Sequence, residues 1–355
     1  MKKVSLLTPE SEIDQTVNIE TLPNKFYTSV FSLGILALAI IALAFSPIFT
    51  KLSELEISPI ATIFNRLWIA TIIMWSWRLV KKPQPQNLIE QTSKNTASFN
   101  LSKRDVVDRE KDSNLEESIR DYQQQGLLIL ASLSATASAI LWAVSFTQTS
   151  VASSTVLRSL TPLFISLGAW LILNQTFDRQ FILGMLLATM GGMGIGWDDW
   201  QLGSEHLLGD AIALLSAALH GANILIVGYL RDHGLTSEQV LLWRCACGAV
   251  ITLPFAYLTD TPLLPISPWG WLTVIALAVV CQTFGQGLLV FSLKQYSSSF
   301  VGIFALLKPM VTALLAWLIF AEGISIYSGI AVILILVGIF LAKTSDSNLK
   351  SAVGK

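Results

Sequence analysis

The sequence predicts an all-α polytopic membrane protein of ten transmembrane helices, arranged as two inverted five-helix repeats. Three observations predict it. The first is composition: hydrophobic residues make up 53% and charged residues only 13%, with mean hydropathy +0.61. A soluble domain carries about 25% charged residues. The second is a series of ten apolar runs, each near the length of about 20 residues that a span requires. They do not alternate with period two, so helices are expected rather than a barrel. The third is that two segments of the chain recur.

Taken in order, residues 1–27 form a polar tail holding Glu10, Glu12, Asp14 and Glu20. A cleavable signal would place a basic tip directly before a short apolar core, so the first span is expected to be retained. The first repeat covers residues 28–197, with spans near 28–50, 58–80, 126–148, 149–173 and 180–197. A polar insertion at 81–124 holds eight basic and eight acidic residues. Its low hydrophobicity predicts disorder or a loose surface helix near 105–124, acting as a solvated spacer. The second repeat covers 208–342, with spans near 208–230, 236–258, 269–293, 296–320 and 325–342. A short tail, 343–355, follows.

Basic residues set the expected orientation. With the N-terminus in the cytoplasm and strict alternation, 18 of the 23 Lys and Arg residues fall on the cytoplasmic side and Lys51 alone on the other. The positive-inside rule therefore places both termini and the insertion in the cytoplasm. The protein is expected in an inner or plasma membrane, in contact with the lipid bilayer and with no nucleic acid.

The repeat is anchored on prolines. Thr161-Pro162 leads on to Leu173-Asn174-Gln175, and Lys308-Pro309 leads on to Phe320-Ala321-Glu322, at an offset of 147. Gly191 and Gly338 keep that offset. Ile57-Ser58 through Arg66 matches Leu235-Thr236 through Arg244 at an offset of 178. The long insertion in the first half accounts for the difference. Each half holds five spans, an odd number, so the second half enters the membrane upside down. That arrangement belongs to carriers whose substrate sits near the midplane between the halves.

The four remaining cations, Arg66, Arg158, Arg244 and Lys308, lie inside spans. A cation in hydrocarbon is costly, about 3 kcal/mol on insertion scales, so it usually faces a cavity or a partner. Lys308 lies about 12 residues into its span, near the midplane at 1.5 Å per residue. Pro309 follows it, and Pro162 follows Arg158 by four, so both cations stand beside irregular backbone. Pro162 in particular is expected to deprive the Arg158 carbonyl of its helical partner. No acidic residue lies deep in any span. Lys308 and Arg158 are therefore candidates for substrate binding, with structural bonds to nearby carbonyls as the competing role. Arg66 and Arg244, as repeat mates, are expected to share a structural task such as bonding a loop carbonyl, and Pro162 and Pro309 are structural too.

Trp142, Phe146, His220, Asn223, Gln282, Phe284 and Gln286 lie in the third, sixth and eighth spans. Of these, Trp142, His220, Asn223 and Gln282 are the further substrate-binding candidates; packing is the alternative for the aromatic residues. His220 is the only histidine in a span and could titrate near neutrality. Asp198 and Asp199 form an acidic lip. Cys245, Cys247 and Cys281 read as apolar filler, since Cys-x-Cys on a helix turns its thiols about 200° apart. No catalytic motif, metal site or cofactor is indicated.

At these residues the chain resembles the drug/metabolite transporter superfamily, specifically its EamA type with ten helices in two halves. The matching pieces are Ser58-Pro59 through Arg66, Thr161-Pro162-Leu163-Phe164, Gly191-Gly192, Lys308-Pro309 through Ala321-Glu322, and Gly338. Asn174-Gln175 stands where that family often has an acidic residue, and Glu322 keeps the acid in the second copy. A looser similarity is to the plastid phosphate translocators, which carry basic residues in the fourth and ninth helices, where Arg158 and Lys308 stand; Pro309 occupies the place of their second ninth-helix cation. The resemblance implies a membrane carrier working by alternating access, not an enzyme, with a small anionic or zwitterionic metabolite as substrate. An exporter of amino acids or amphipathic compounds is the alternative within transport. A scaffold or sensor built on the 81–124 insertion is the alternative outside it. Assembly is left open, with a homodimer among the options. The absence of a membrane-buried carboxylate favours facilitated diffusion or exchange over proton coupling.

Overall fold

The computed structural model describes residues 22–80, 103–145, 148–149, 151–194, 207–258, 262–320 and 326–345. Every regular element among them is helical. Phe146, Asp198, Asp199, Glu322, both tails beyond these bounds and the first part of the insertion lie outside the described residues.

In chain order the helices are α1 (Leu22–Ala44), α2 (Ser46–Ser53), α3 (Pro59–Val80), α4 (Lys103–Ser145), α5 (Val151–Arg158), α6 (Thr161–Leu173), α7 (Arg179–Gly194), α8 (Leu207–Asp232) and α9 (Ser237–Tyr257). The eighth expected span is α10 (Pro268–Ala276), a π-helical segment Leu277–Gly285 and α11 (Gln286–Ser292). Then come α12 (Ser298–Phe304), α13 (Leu307–Phe320) and α14 (Ile326–Thr344).

Seven stretches among the described residues are long and apolar enough to cross a membrane, from Phe31–Ser53 to Pro268–Ser292. The fifth, ninth and tenth expected spans are not among those seven stretches of described residues. The helix α7 has 16 residues; Ser298–Thr312 and Gly329–Thr344 are shorter apolar helices. The second part of the insertion is helical, and α4 runs unbroken for 43 residues from Lys103 through the third span.

The surface is apolar and the interior partly polar. Phe31, Trp77, Ile172, Val250, Ile333 and Phe340 are exposed, while Asn65, Ser132, Ser138, Ser216 and Asn223 are buried. In water such a surface would aggregate. In lipid it is the natural outside, and the polar groups are held by the bundle. The molecule is an integral membrane protein.

Packing pairs the two halves. The fifth span, α7, lies on the tenth, α14, and the second, α3, lies on the seventh, α9. The third packs on the sixth, and the eighth on the first; the third packs on the seventh, and the eighth on the second. The fourth packs on the sixth, and the ninth on the first. Small residues make the closest approach. A Cβ on Gly338 would stand 2.5 Å from both the Gly184 oxygen and the Ala188 nitrogen, and one on Gly191 would stand 2.6 Å from the Ala331 oxygen. At these sites α7 and α14 touch backbone to backbone, which only glycine permits.

Contacts between helix ends sort the loops into two sets. In one, Glu56 between α2 and α3 accepts hydrogen bonds from the backbone of Ile266 (3.1 Å) and Ser267 (3.0 Å) and from the Ser267 hydroxyl, at the start of α10. Thr149 likewise donates to Asp210 at the start of α8 (2.8 Å). In the other set, Gln180 donates to Thr344 (2.6 Å), Ser345 to Asp178 (2.5 Å), and Gln124 to the His233 carbonyl (3.2 Å).

Asn174, which stands where the resembled family often has an acidic residue, has a local task. It terminates α6 in the left-handed region, φ 49°, and the Gln175 amide bonds back to the Ala169 carbonyl at 3.1 Å. Asparagine tolerates that conformation where an aliphatic residue would not.

Candidate functional site

Two spans break at the same relative place. The fourth stops being α-helical after Arg158, passes through a tight turn in which Ser159 bonds Val156 (3.0 Å) and Leu160 bonds Leu157 (3.1 Å), and restarts at Thr161 with Pro162. The ninth stops after Phe304, turns with Leu306 on Ile303 (3.1 Å) and Lys308 on Ala305 (3.0 Å), and restarts with Pro309. Proline is accepted in the first turn of a helix because its missing N–H has no helical partner there. Each break therefore sits just ahead of a proline and carries one cation.

Arg158 is held. Its Nη1 donates to Ser216 Oγ at 2.6 Å. Ser216 and Ser138 exchange hydrogen bonds with each other's carbonyls at 2.8 Å, tying α8 to α4 and fixing that acceptor. The guanidinium lies over the Trp142 ring, 4.6 Å from its centroid, an arrangement worth about 0.5–2 kcal/mol. The Arg158 carbonyl, expected to lose its helical partner to Pro162, accepts instead from Thr161 Oγ1 at 2.6 Å. The break is thus closed by a side chain.

Lys308 is not held in this way: it forms no ion pair and no side-chain hydrogen bond among the described residues. Its field reaches Arg158, Arg66 and Cys281. Arg66 also reaches Arg158, and Arg244 reaches Arg66. His220 feels Arg158, Arg244 and Lys308. These five side chains from α3, α5, α8, α9 and α13 are partly buried and lie within one another's electrostatic reach. No carboxylate among the described residues pairs with any of the four cations. Like charges about 8 Å apart repel by about 2 kcal/mol at an effective dielectric constant of 20. Cations within reach of one another are therefore favoured by a counter-charge.

The remaining candidates surround this cluster or stand off from it. Asn223 is 1% exposed and its Oδ1 has no hydrogen-bond partner among the described residues. Gln282, on the π segment, donates to Cys245 Sγ at 3.4 Å, next to Arg244. The three cysteines are free, two of them buried. Phe284 is exposed toward the outside of the bundle.

The loop-carbonyl bond expected of Arg66 belongs to its neighbour. Asn65, fully buried, donates to the Leu263 carbonyl at 2.7 Å and to the Ala61 carbonyl at 2.8 Å, and its Oδ1 accepts from Trp68 Nε1 at 2.9 Å. Arg66 and Arg244 bond no loop carbonyl; the Nε of each is buried without a partner among the described residues. Ser138, Ser216 and Asn65 escape a reading of the sequence because a lone serine or asparagine in an apolar run carries no pattern. Glu56 escapes because its partner lies 211 residues away.

Comparison with known proteins agrees with this architecture. The chain is 23% identical over 208 residues to the "Uncharacterized transporter YetK" of Bacillus subtilis (strain 168), covering 57% of this chain and 62% of that protein. It is 27% identical over 175 residues to "Protein PecM" of Dickeya dadantii (strain 3937), covering 47% of this chain and 56% of that one. The matches thus span less than two thirds of either relative. A solved crystal structure superposes with TM-score 0.70 at 14% identity, over 89% of this chain and 97% of its own, a likeness of fold alone. The EamA-like transporter family model matches twice, at residues 31–197 and again at 207–344, and the chain belongs to that family.

Proposed function

We propose that this protein carries a small anionic or zwitterionic metabolite across the membrane by alternating access, with Arg158 and Lys308 as the primary contacts. The observation that carries this reading is the pair of broken spans, each presenting a cation with no carboxylate partner among the described residues. Buried charge persists where function uses it. Discontinuous helices at mid-membrane depth are where carriers bind charged substrates. Trp142, His220, Asn223 and Gln282 complete the surroundings.

Ten helices in two inverted repeats are part of this proposal. Two observations support it. Exchanging each span with its repeat mate turns each packing pair described above into another observed pair. The end contacts also join the 51–58 loop to the start of α10, the start of α7 to the end of α14, and Gln124 to the end of α8, each a pair that alternation through five-span halves puts on one side. The excess of basic residues then puts both termini and the insertion in the cytoplasm.

Exchange rather than proton coupling is the proposed mode, since the interior, among the described residues, holds cations and His220 but no carboxylate. The test is counterflow in proteoliposomes, with a panel of organic anions and amino acids preloaded inside. Preloading should accelerate uptake without a pH gradient, and Lys308→Ala or Arg158→Ala should abolish it in protein that still purifies folded. Normal transport by both variants, or uptake that requires a proton gradient and vanishes in His220→Ala, would overturn the reading.

A further inference from the structure

Arg66 and Arg244 are unused by the reading above. They are repeat mates on α3 and α9, so one comes from each half. Neither forms an ion pair among the described residues, and each buries an Nε with nothing to donate to. A buried donor left unmet costs about 1–3 kcal/mol, and more when charged. The structural task expected of Arg66 is already performed by Asn65, so it does not explain the cost. The Nε edge of a guanidinium is half of the fork that grips a carboxylate or phosphate with two parallel bonds. Here that edge is empty in two residues at once, within the field of each other. Arg66 is also within the field of Arg158 and Lys308.

We infer that Arg66 and Arg244 form a second anion-binding pole of the same site, so that the substrate carries two anionic groups a few atoms apart. One group sits on Arg158 and Lys308 and the other on Arg66 and Arg244. The chemical class is a short dicarboxylate, or a carboxylate that also bears a phosphate. His220 lies in the field of both poles. A monoanion would leave three of the four cations unmatched; a doubly charged ligand answers both poles. This inference rests on the anion reading proposed above, and it adds the number of charges.

The test compares dianions with their singly charged isosteres. Straight-chain dicarboxylates of about three to six carbons, their monoamides, and glycerol 3-phosphate are probed by thermal stabilisation of the detergent-purified full chain and by counterflow, since a ligand stabilises the state it binds. At least one dianion should bind about tenfold or more tighter than its monoamide, the factor expected of one lost charged hydrogen-bonding partner. Arg66→Gln should collapse that ratio toward one while monoanion binding persists. If Arg66→Gln does not fold, Arg66→Lys serves: it keeps the charge, loses the fork, and should lower the ratio severalfold. Monoamides that bind as well as dianions, or a ratio unchanged in the folded variant, would overturn the second pole and leave the anion reading standing. Binding of no anion of either charge would overturn both.

Discussion

The two broken spans each present one cation, and they hold it differently. Arg158 is clamped: Ser216 accepts from it, Trp142 lies beneath it, and Thr161 seals the carbonyl behind it. Lys308 has backbone support for its turn but no side-chain partner among the described residues. The difference follows from chemistry. A planar guanidinium is fixed by a stacked ring and a directed acceptor, whereas an ammonium on a four-carbon stem is a mobile point charge. One repeat offers a pre-set anchor and its mate an adjustable one. On the proposed reading, the two cations of the site are not equivalent, which would let it orient an unsymmetrical substrate.

The largest effect should come from swapping the two chemistries. Arg158→Lys loses the stacking and the directed bond, and we expect transport affinity to fall about 10- to 100-fold, equivalent to roughly 1.4–2.8 kcal/mol. Lys308→Arg should stay within about threefold of the parent. Equal losses in competition assays would erase the distinction between the two sites. Next is Ser216→Ala, which deprives a buried guanidinium of its acceptor; a loss of about 1–2 kcal/mol in unfolding stability is expected, within the cost of a buried donor left unmet. No change in denaturant midpoint would mean that Arg158 finds another partner at no cost. Smaller still is Trp142→Leu, where losing the aromatic face removes about 0.5–2 kcal/mol, read as weaker substrate affinity.

The smallest effect lies away from both cations, at the loop contact of Glu56, and serves as the control. Hydrogen bonds from the Ser267 side chain and then from the Ser267 backbone hold the Glu56 carboxyl below the usual carboxylate range. A depressed carboxylate contributes stability above its unfolded pKa and loses it as pH falls through the folded value. Thermal scans should therefore show the parent more stable than Glu56→Gln near neutral pH, with the gap closing on acidification below the ordinary carboxylate range. Burial raises Glu54, which acts with the opposite sign but is common to both proteins and cancels in the difference. A gap that persists in acid would mean that the contact does not depend on the charge.

Much of the fold was legible because membrane helices must be long, apolar and internally bonded. The boundaries of α3, α8 and α9 follow from that rule. The breaks were only half legible. Pro162 and Pro309 marked where irregularity begins, but proline does not say how it is resolved, and the Thr161 hydroxyl that closes the first break is invisible in a composition. The π segment at Leu277–Gly285 carries no proline at all. At the site, the cost of burying charge was enough to single out four cations. Dividing them into two binding and two structural residues was a symmetry argument, and symmetry cannot tell which of two adjacent side chains, Asn65 or Arg66, reaches the loop. Ser138 and Ser216 needed coordinates, because their importance is a matter of what stands opposite them.

On the proposed alternating-access reading, the interior cations, paired with no carboxylate among the described residues, have an electrical consequence. Moving one elementary charge through the full membrane potential is worth about 2.3 kcal/mol per 100 mV. In an alternating-access cycle the cations see first one aqueous face and then the other, so the part of the voltage drop that lies across them reverses side. An empty carrier making that switch moves net positive charge, and a carrier loaded with a multivalent anion moves less. Voltage then acts mainly on the unloaded return step, and the sign of the resulting current reports which form of the carrier is crossing.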